Sequence, residues 1–221
     1  MKRMVRVSFV LTLAVAFVFF LAGAMLELGP VAIDLRAPVA QQLAHSGVTH
    51  PVTAVLLNYR GYDTLLEIAV LLLALLAILA VVGEAPASPS RLAHPVLQTL
   101  ARLAAPLMVV VAVYLLWAGA FRPGGAFQAG AVLAAAAVLL NLVGLLPGWS
   151  RPRLGLRIGI AAGFALFLAV AAGLLTQGAL LQYPPAAAGV LILLIESGLT
   201  VSLALILAGL FLLLSREEVT A

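Results

Sequence analysis

Asn58-Tyr59-Arg60-Gly61-Tyr62-Asp63-Thr64-Leu65-Leu66-Glu67 runs straight into the uncharged apolar stretch 68–82. A charged aromatic turn followed by such a run reads as an interfacial loop entering a membrane helix. Glu67 lies inside that helix. An ionisable side chain in hydrocarbon costs roughly 3 kcal/mol on insertion scales and more in simulation, so it marks a functional candidate. Asp63 and Glu67 are four positions apart, on one helical face and about 6 Å apart along the axis. Two carboxylates so placed repel, so one of them can hold a proton near neutrality. Arg60 could instead neutralise Asp63 and leave Glu67 as the mobile partner. In the opposing reading Arg60 and Asp63 only anchor the helix at the interface, and Glu67 bonds to neighbouring backbone.

The rest of the chain agrees with a membrane setting. Hydrophobic residues make up 65% and charged residues 9%, against about a quarter charged in soluble domains. There are too few polar residues to clothe a soluble core. Without cysteine, disulfides, thiolate metal sites and cysteine nucleophiles are excluded. The formal net charge is +4, but the basic residues sit at segment ends, as topology signals rather than a nucleic-acid surface. The basic start and the apolar run after it imitate a signal peptide, yet residues 7–26 are longer than a signal core and no small-x-small cleavage site precedes a polar mature domain. They read as a retained helix.

Six segments have the roughly 20 residues needed to cross hydrocarbon: 5–26, 64–83, 104–120, 127–146, 157–180 and 186–214. The last is long enough to be tilted or broken near Glu196, Ser197 and Gly198. A polar stretch, 27–62, separates the first two, with a short surface helix expected over 39–44 and a stop at His50-Pro51. Pro86, Pro89 and Pro95 mark a second connection, and Arg122-Pro123-Gly124-Gly125 a tight hairpin. With the N-terminus cytoplasmic, that side holds Lys2, Arg3, Arg6, Arg91, Arg102, Arg151, Arg153, Arg157 and Arg216, and the other only Arg36, Arg60 and Arg122. Positive-inside bias therefore predicts an all-α polytopic protein of about six transmembrane helices with both termini cytoplasmic.

Glu196 is the second carboxylate of interest, near mid-membrane with Ser197 beside it and Thr200 one turn on. At that depth it must be protonated, paired or in contact with water; otherwise it serves as interhelical glue. Gln128, Asn141, Thr176 and Gln177 read as interhelical hydrogen-bond formers, Asn141 the deepest. His45, His50 and His94 fall in loops, too scattered for a metal-ligand set, and read as solvated. The small residues of 129–137 suit close helix packing. No phosphate loop, heme motif or nucleophile–base pair is present, so no enzyme active site, cofactor or metal is expected.

Tyr59-Arg60-Gly61-Tyr62-Asp63-Thr64-Leu65-Leu66-Glu67, with its lead-in His50-Pro51-Val52-Thr53-Ala54-Val55-Leu56-Leu57, resembles the aromatic-Arg-Gly-aromatic-Asp-Thr-x-Gly-Glu signature of the MbhE-like region. That region closes the large A subunit of Mrp-type multisubunit cation/proton antiporters and recurs in membrane-bound hydrogenases. Arg122-Pro123-Gly124-Gly125-Ala126-Phe127-Gln128-Ala129-Gly130 is similar to the Pro-Gly-Gly-Gly-Phe-x-Gly-Gly hairpin of the MnhB domain, the B subunit of the same complexes. Ile195-Glu196-Ser197-Gly198-Leu199 approximates the acidic, small, Gly, aliphatic pattern of that domain's last helix. Leu66, Ala126 and Ala129 stand where the family carries glycine, which alters local helix packing; the acidic residues at 67 and 196 are kept.

The resemblance implies an MbhE-like two-span region over 1–83 with an external loop 27–62, a cytoplasmic linker 84–103, and an MnhB-like four-span domain over 104–221. It implies a multi-pass subunit of a prokaryotic inner (plasma) membrane complex exchanging a monovalent cation, Na+, for H+. Partners would be the other membrane subunits and the lipid bilayer, with no nucleic acid. Glu67, Glu196, Asp63 and Arg60 are the candidates for the ion or proton path. The same modules occur in energy-converting hydrogenase-type complexes and in inorganic-carbon uptake systems, and a purely structural scaffold subunit is a further alternative.

Overall fold

In a computed structural model, residues 2–29, 34–82, 94–146, 154–176, 178 and 180–215 are described. All regular structure among them is helical: α1 (Lys2–Leu26), α2 (Arg36–Gln42), α3 (Pro51–Thr53), α4 (Gly61–Val82), α5 (Pro95–Ala118), α6 (Ala126–Leu142), α7 (Leu154–Leu175) and α8 (Pro185–Leu214), with a 3-10 turn at Leu43–His45 and a π-helix at Ala54–Tyr59. Helices α1, α4, α5, α7 and α8 are long and apolar enough to cross a membrane; α6 is apolar but has 17 residues. The molecule is an all-α, multi-pass membrane protein.

The chain divides into two compact units, Met1–Pro38 and Val39–Ala221. In the first, the side chains of α1 from Ser8 onward are exposed almost throughout, Phe9, Phe17, Phe19 and Phe20 among them. Helix amphipathicity is not what orders such a segment; an apolar surround is. Beyond α1, Arg36 donates through Nε and Nη2 to the Asp34 carboxylate at 2.9–3.2 Å, and its backbone N–H donates as well. The guanidinium and that N–H hold the Asp34 carboxyl below the usual range.

The second unit is organised around α8. This helix packs along α6 and α7 and against α4, while α5 packs on α6. Because α8 meets neighbours on several sides, Leu199, Thr200, Ser202, Leu203, Ala204 and Ile206 are all buried. Small residues let the helices approach. Ala129, Gly130, Ala134 and Ala136 form the buried face of α6. On α7, a Cβ at Gly163 would lie 2.6 Å from Ser202 Cβ and 2.8 Å from the Gly198 carbonyl. Between the same two helices Ser202 Oγ donates to the Ile160 carbonyl.

Helix α8 is continuous through Glu196-Ser197-Gly198 rather than broken there. Helix α5 starts at Pro95, inside the stretch expected to be linker. Pro95 occupies the first helical turn, where a missing N–H costs nothing, and His94 Nδ1 accepts from the Val96 N–H. Helix α6 ends at Leu142, short of the expected 146. Its chain end turns through Gly144 at φ +76°, with the Gly144 N–H on the Asn141 carbonyl and the Leu145 N–H on the Leu140 carbonyl, a Schellman closure. Asn141 accordingly bonds the Leu146 carbonyl of its own turn, not a neighbouring helix. Thr176 bonds the Gly173 carbonyl where α7 ends. Gln177, Arg91, Arg151, Arg153 and Arg216 lie outside the described residues.

Candidate functional site

The segment before α4 is fastened to the hairpin that joins α5 to α6. Thr49 Oγ1 donates to the Ala120 carbonyl at 2.9 Å, and Thr53 Oγ1 to the Gly119 carbonyl at 2.7 Å. Asn58 Nδ2 donates to the Ser46 carbonyl at 2.7 Å, and Thr64 Oγ1 bridges from α4 to the Leu56 carbonyl of the π-helix at 2.6 Å. Single π turns inside helices concentrate at functional positions. Across from it, the Gly125 N–H reaches back to the Leu115 carbonyl at 2.9 Å. Gly125 adopts φ +105° as α6 begins, a conformation other residues rarely hold.

Glu196 approaches this hairpin from the fourth turn of α8. It is only 6% exposed, and a Cβ on Gly125 would stand 2.6 Å from its Oε1. Glycine at 125 is thus required twice, by its backbone angle and by the carboxylate beside it. The Ala126 backbone N–H is turned to the carboxylate. It belongs to the set of free donors that open α6, the positive end of the helix dipole, a favourable place for a negative charge. Glu196 also accepts Thr200 Oγ1 on its backbone carbonyl at 2.8 Å.

Here the segment before α4, the hairpin and α8 border an open cavity of about 360 Å³. Its lining includes His50, Thr53, Thr64, Glu67, Gln128 and Glu196. Glu67 and Gln128 are exposed and stand at its rim; Glu196 and Leu199 are buried and form its floor. No lysine or arginine is among its lining residues, so two carboxylates face it without a fixed cation. A second cavity, of about 210 Å³, is bounded by Gly47, Val48, Thr49, Ala120, Gly189, Ile192 and Leu193. Thr53 and Glu196 line both cavities.

Of the four residues singled out from sequence, Glu67 and Glu196 meet at one cavity, and Arg60 and Asp63 do not join them. Arg60 Nη2 pairs with Asp63 Oδ2, and both side chains are more than half exposed. The pairing leaves Glu67 without a free carboxylate one turn before it. His50 is the residue missed. It does not stand in open solvent but lines the cavity beside the two carboxylates, its Nδ1 3.5 Å from Thr53 Oγ1. Among the described residues no group of three or more His, Asp or Glu is placed to hold a metal ion. The cavity thus carries acids at its rim and floor, with hydroxyl and amide groups between them.

No curated protein matches the chain. Among solved structures it is similar to a chain of the Mrp complex from Dietzia sp. DQ12-45-1b, with a TM-score of 0.70 and 23% identity over 95% of this chain and 26% of that one. It therefore spans about a quarter of that chain's length. It is also similar to a chain of the membrane-bound sulfane sulfur reductase, an archaeal respiratory membrane complex, with a TM-score of 0.71 and 23% identity over 95% of this chain and 97% of that one. These likenesses are of fold. In sequence, residues 96–215 match the model for the domain related to the MnhB subunit of Na+/H+ antiporter. That stretch begins one residue after α5 does and ends one residue after α8, taking in the glycine hairpin and Glu196: the chain belongs to the MnhB-related domain family.

Proposed function

We propose that this protein is a membrane subunit of a multisubunit monovalent cation/proton antiporter-type complex, and that the cavity between Glu67 and Glu196 is its part of the ion path. One observation carries the reading: two acids from different helices face one cavity whose lining holds no basic side chain except His50. A structural acid is normally matched by a cation, as Asp63 is by Arg60. Glu196 is met instead by the Ala126 backbone N–H, and the cavity lining holds no lysine or arginine for either acid. Membership of the MnhB-related family supports the antiporter setting. Residues 1–83 supply the MbhE-like part, both termini face the cytoplasm, and the partners are larger membrane subunits that cover the exposed faces of α1 and α5. The role is transport rather than chemical catalysis.

A second reading has its own support. The sulfane sulfur reductase chain is matched over nearly its whole length, whereas the Mrp chain is matched over about a quarter. In that reading the same cavity serves a redox-driven membrane complex. Inorganic-carbon uptake and a scaffold role have no such observation behind them.

The test is cation/proton exchange in everted vesicles carrying the whole complex. Glu67→Gln and Glu196→Gln keep shape and hydrogen bonding but remove the titratable charge. Each should assemble normally and lose at least tenfold of the exchange. Normal exchange by both at normal assembly would make the cavity structural. Exchange that appears only when an electron donor and acceptor are supplied would favour the redox complex.

A further inference from the structure

We propose that the smaller cavity is the loading site of the path and that Glu196 is the carrier between the two cavities, taking up a proton on the Gly47–Gly189 side and releasing it on the Glu67 side. This rests on the reading of the larger cavity as part of an ion path, and goes beyond it by assigning an entry site and a direction of movement.

Three observations lead to it. Glu196 and Thr53 are the residues common to both linings, so they stand as the wall between the cavities. Thr53 cannot move freely, because its hydroxyl is bonded to the Gly119 carbonyl at 2.7 Å. Glu196 has no side-chain partner among the described residues; its carboxylate takes the Ala126 backbone N–H and rests against Gly125, in the space its missing Cβ leaves. Each half of the wall therefore holds one backbone bond, but the threonine hydroxyl stands on a stiff β-branched stem and the carboxylate on a longer, more flexible one.

The smaller cavity has the character of an entry. Thr49, Ala120, Leu193 and Gly189 at its edge are exposed, while Ile192, Thr53 and Glu196 at its back are buried. At about 210 Å³ it has room for several waters at about 30 Å³ each. Its lining holds no titratable side chain other than Glu196. On the other side the titratable groups are His50 and Glu67. A hydronium ion in the smaller cavity gives its proton to the Glu196 carboxylate and leaves as water. The neutral carboxylic acid turns from the α6 start, and in the larger cavity its O–H passes the proton through water to the Glu67 carboxylate. Glu196 is then charged again and returns to the Ala126 N–H, which favours the anion. Glu67, at the exposed rim, hands the proton on to whatever covers that face.

Two variants of the full complex test this in everted vesicles. At Gly189 a Cβ would meet only the Gly47 carbonyl, at 3.7 Å, so the first side-chain carbon is accommodated, and Gly189→Leu adds bulk at the lining of the smaller cavity and none at the larger one. Exchange should fall at least tenfold at normal assembly. Glu196→Asp keeps a titratable acid but is one methylene shorter, and should fall at least tenfold, close to Glu196→Gln. If Gly189→Leu fails to assemble, Glu196→Asp decides alone. Glu196→Asp, or assembled Gly189→Leu, retaining more than a tenth of the exchange while Glu196→Gln is dead would overturn the carrier and leave the ion path standing. An active Glu196→Gln would remove both.

Discussion

Thr53 and Gly119 are joined by a 2.7 Å hydrogen bond from the threonine hydroxyl to the glycine carbonyl. It ties the turn before α4 to the end of α5, and so holds the hairpin against the segment that supplies half of the cavity. Thr53 is buried, and the carbonyl it satisfies lies where α5 has run out of helical donors. Thr53→Val keeps the shape and removes the donor, which should cost about 1–2 kcal/mol. Thr53→Ser should cost less than about 1 kcal/mol. Thermal unfolding in detergent measures both, and equal losses in the two variants would mean that the methyl group, not the bond, matters.

Gly163 is held by backbone. Its absent Cβ would collide with Ser202 Cβ, the Gly198 carbonyl and Leu199 Cα, none of which can step aside without moving α8. Gly163→Ala should therefore destabilise by about 1–3 kcal/mol. Gly173 on the same helix has nothing within 4 Å, and Gly173→Ala should be neutral or slightly stabilising. The comparison separates a helix-contact effect from a glycine-content effect. Indistinguishable melting temperatures for the two variants would refute the close α7–α8 approach.

Arg60 and Asp63 form an exposed pair, and exposed pairs contribute no more than about 1 kcal/mol. Asp63→Asn should leave stability within that margin and retain exchange, in contrast to Glu67→Gln. Loss of exchange by Asp63→Asn at normal assembly would bring Asp63 back into the path.

Tyr183, in the turn between α7 and α8, is buried with its hydroxyl unpartnered among the described residues. Burial raises its ionisation well above the ordinary value near 10. The unfolded chain therefore ionises first. The contribution to stability is complete below pH 10 and is lost progressively as pH rises above it toward the folded value. Tyr183→Phe removes an unsatisfied buried group and should raise stability by about 1 kcal/mol, with a shallower loss in alkali. A drop in stability would show that the hydroxyl has a partner.

Orientation can be read by labelling, since the chain has no cysteine of its own. Ser46 is a poor site because it is buried and bonded to the Leu43 carbonyl. Ala44 is exposed, and Ala44→Cys should react with an impermeant thiol reagent in whole cells. Leu154→Cys, at the start of α7, should react only after permeabilisation. The reverse pattern would invert the topology.

What the sequence disclosed follows from what composition can encode. The long helices were legible because their apolar runs are uninterrupted, and Glu67 and Glu196 because a charge in such a run stands out. The start of α5 was not, since Pro95 reads equally as a loop residue and as a first-turn residue until His94 is seen capping it. The end of α6 was hidden too, because Gly144-Leu145-Leu146 stays apolar while its backbone turns through a Schellman closure. His50 was missed for a different reason. Its role comes from packing that brings three distant stretches to one cavity, and no local pattern records that. The glycine hairpin pointed to a tight turn, but not to Glu196 filling the space its missing Cβ leaves.

The shortness of α6 has an electrical consequence. Its 17 residues measure about 26 Å, less than the roughly 30 Å of hydrocarbon in a bilayer. Such a helix matches hydrocarbon only where the bilayer thins or one of its ends lies below the water boundary. With the hairpin as that end, water entering the two cavities would carry the aqueous phase further in. The transmembrane voltage would then drop over a thinner slab beneath Glu196, with a local field steeper than in the surrounding lipid. Moving one elementary charge through the whole voltage is worth about 2.3 kcal/mol per 100 mV. A charge leaving Glu196 for the far side would meet most of that within a shortened distance, coupling its movement to membrane polarisation.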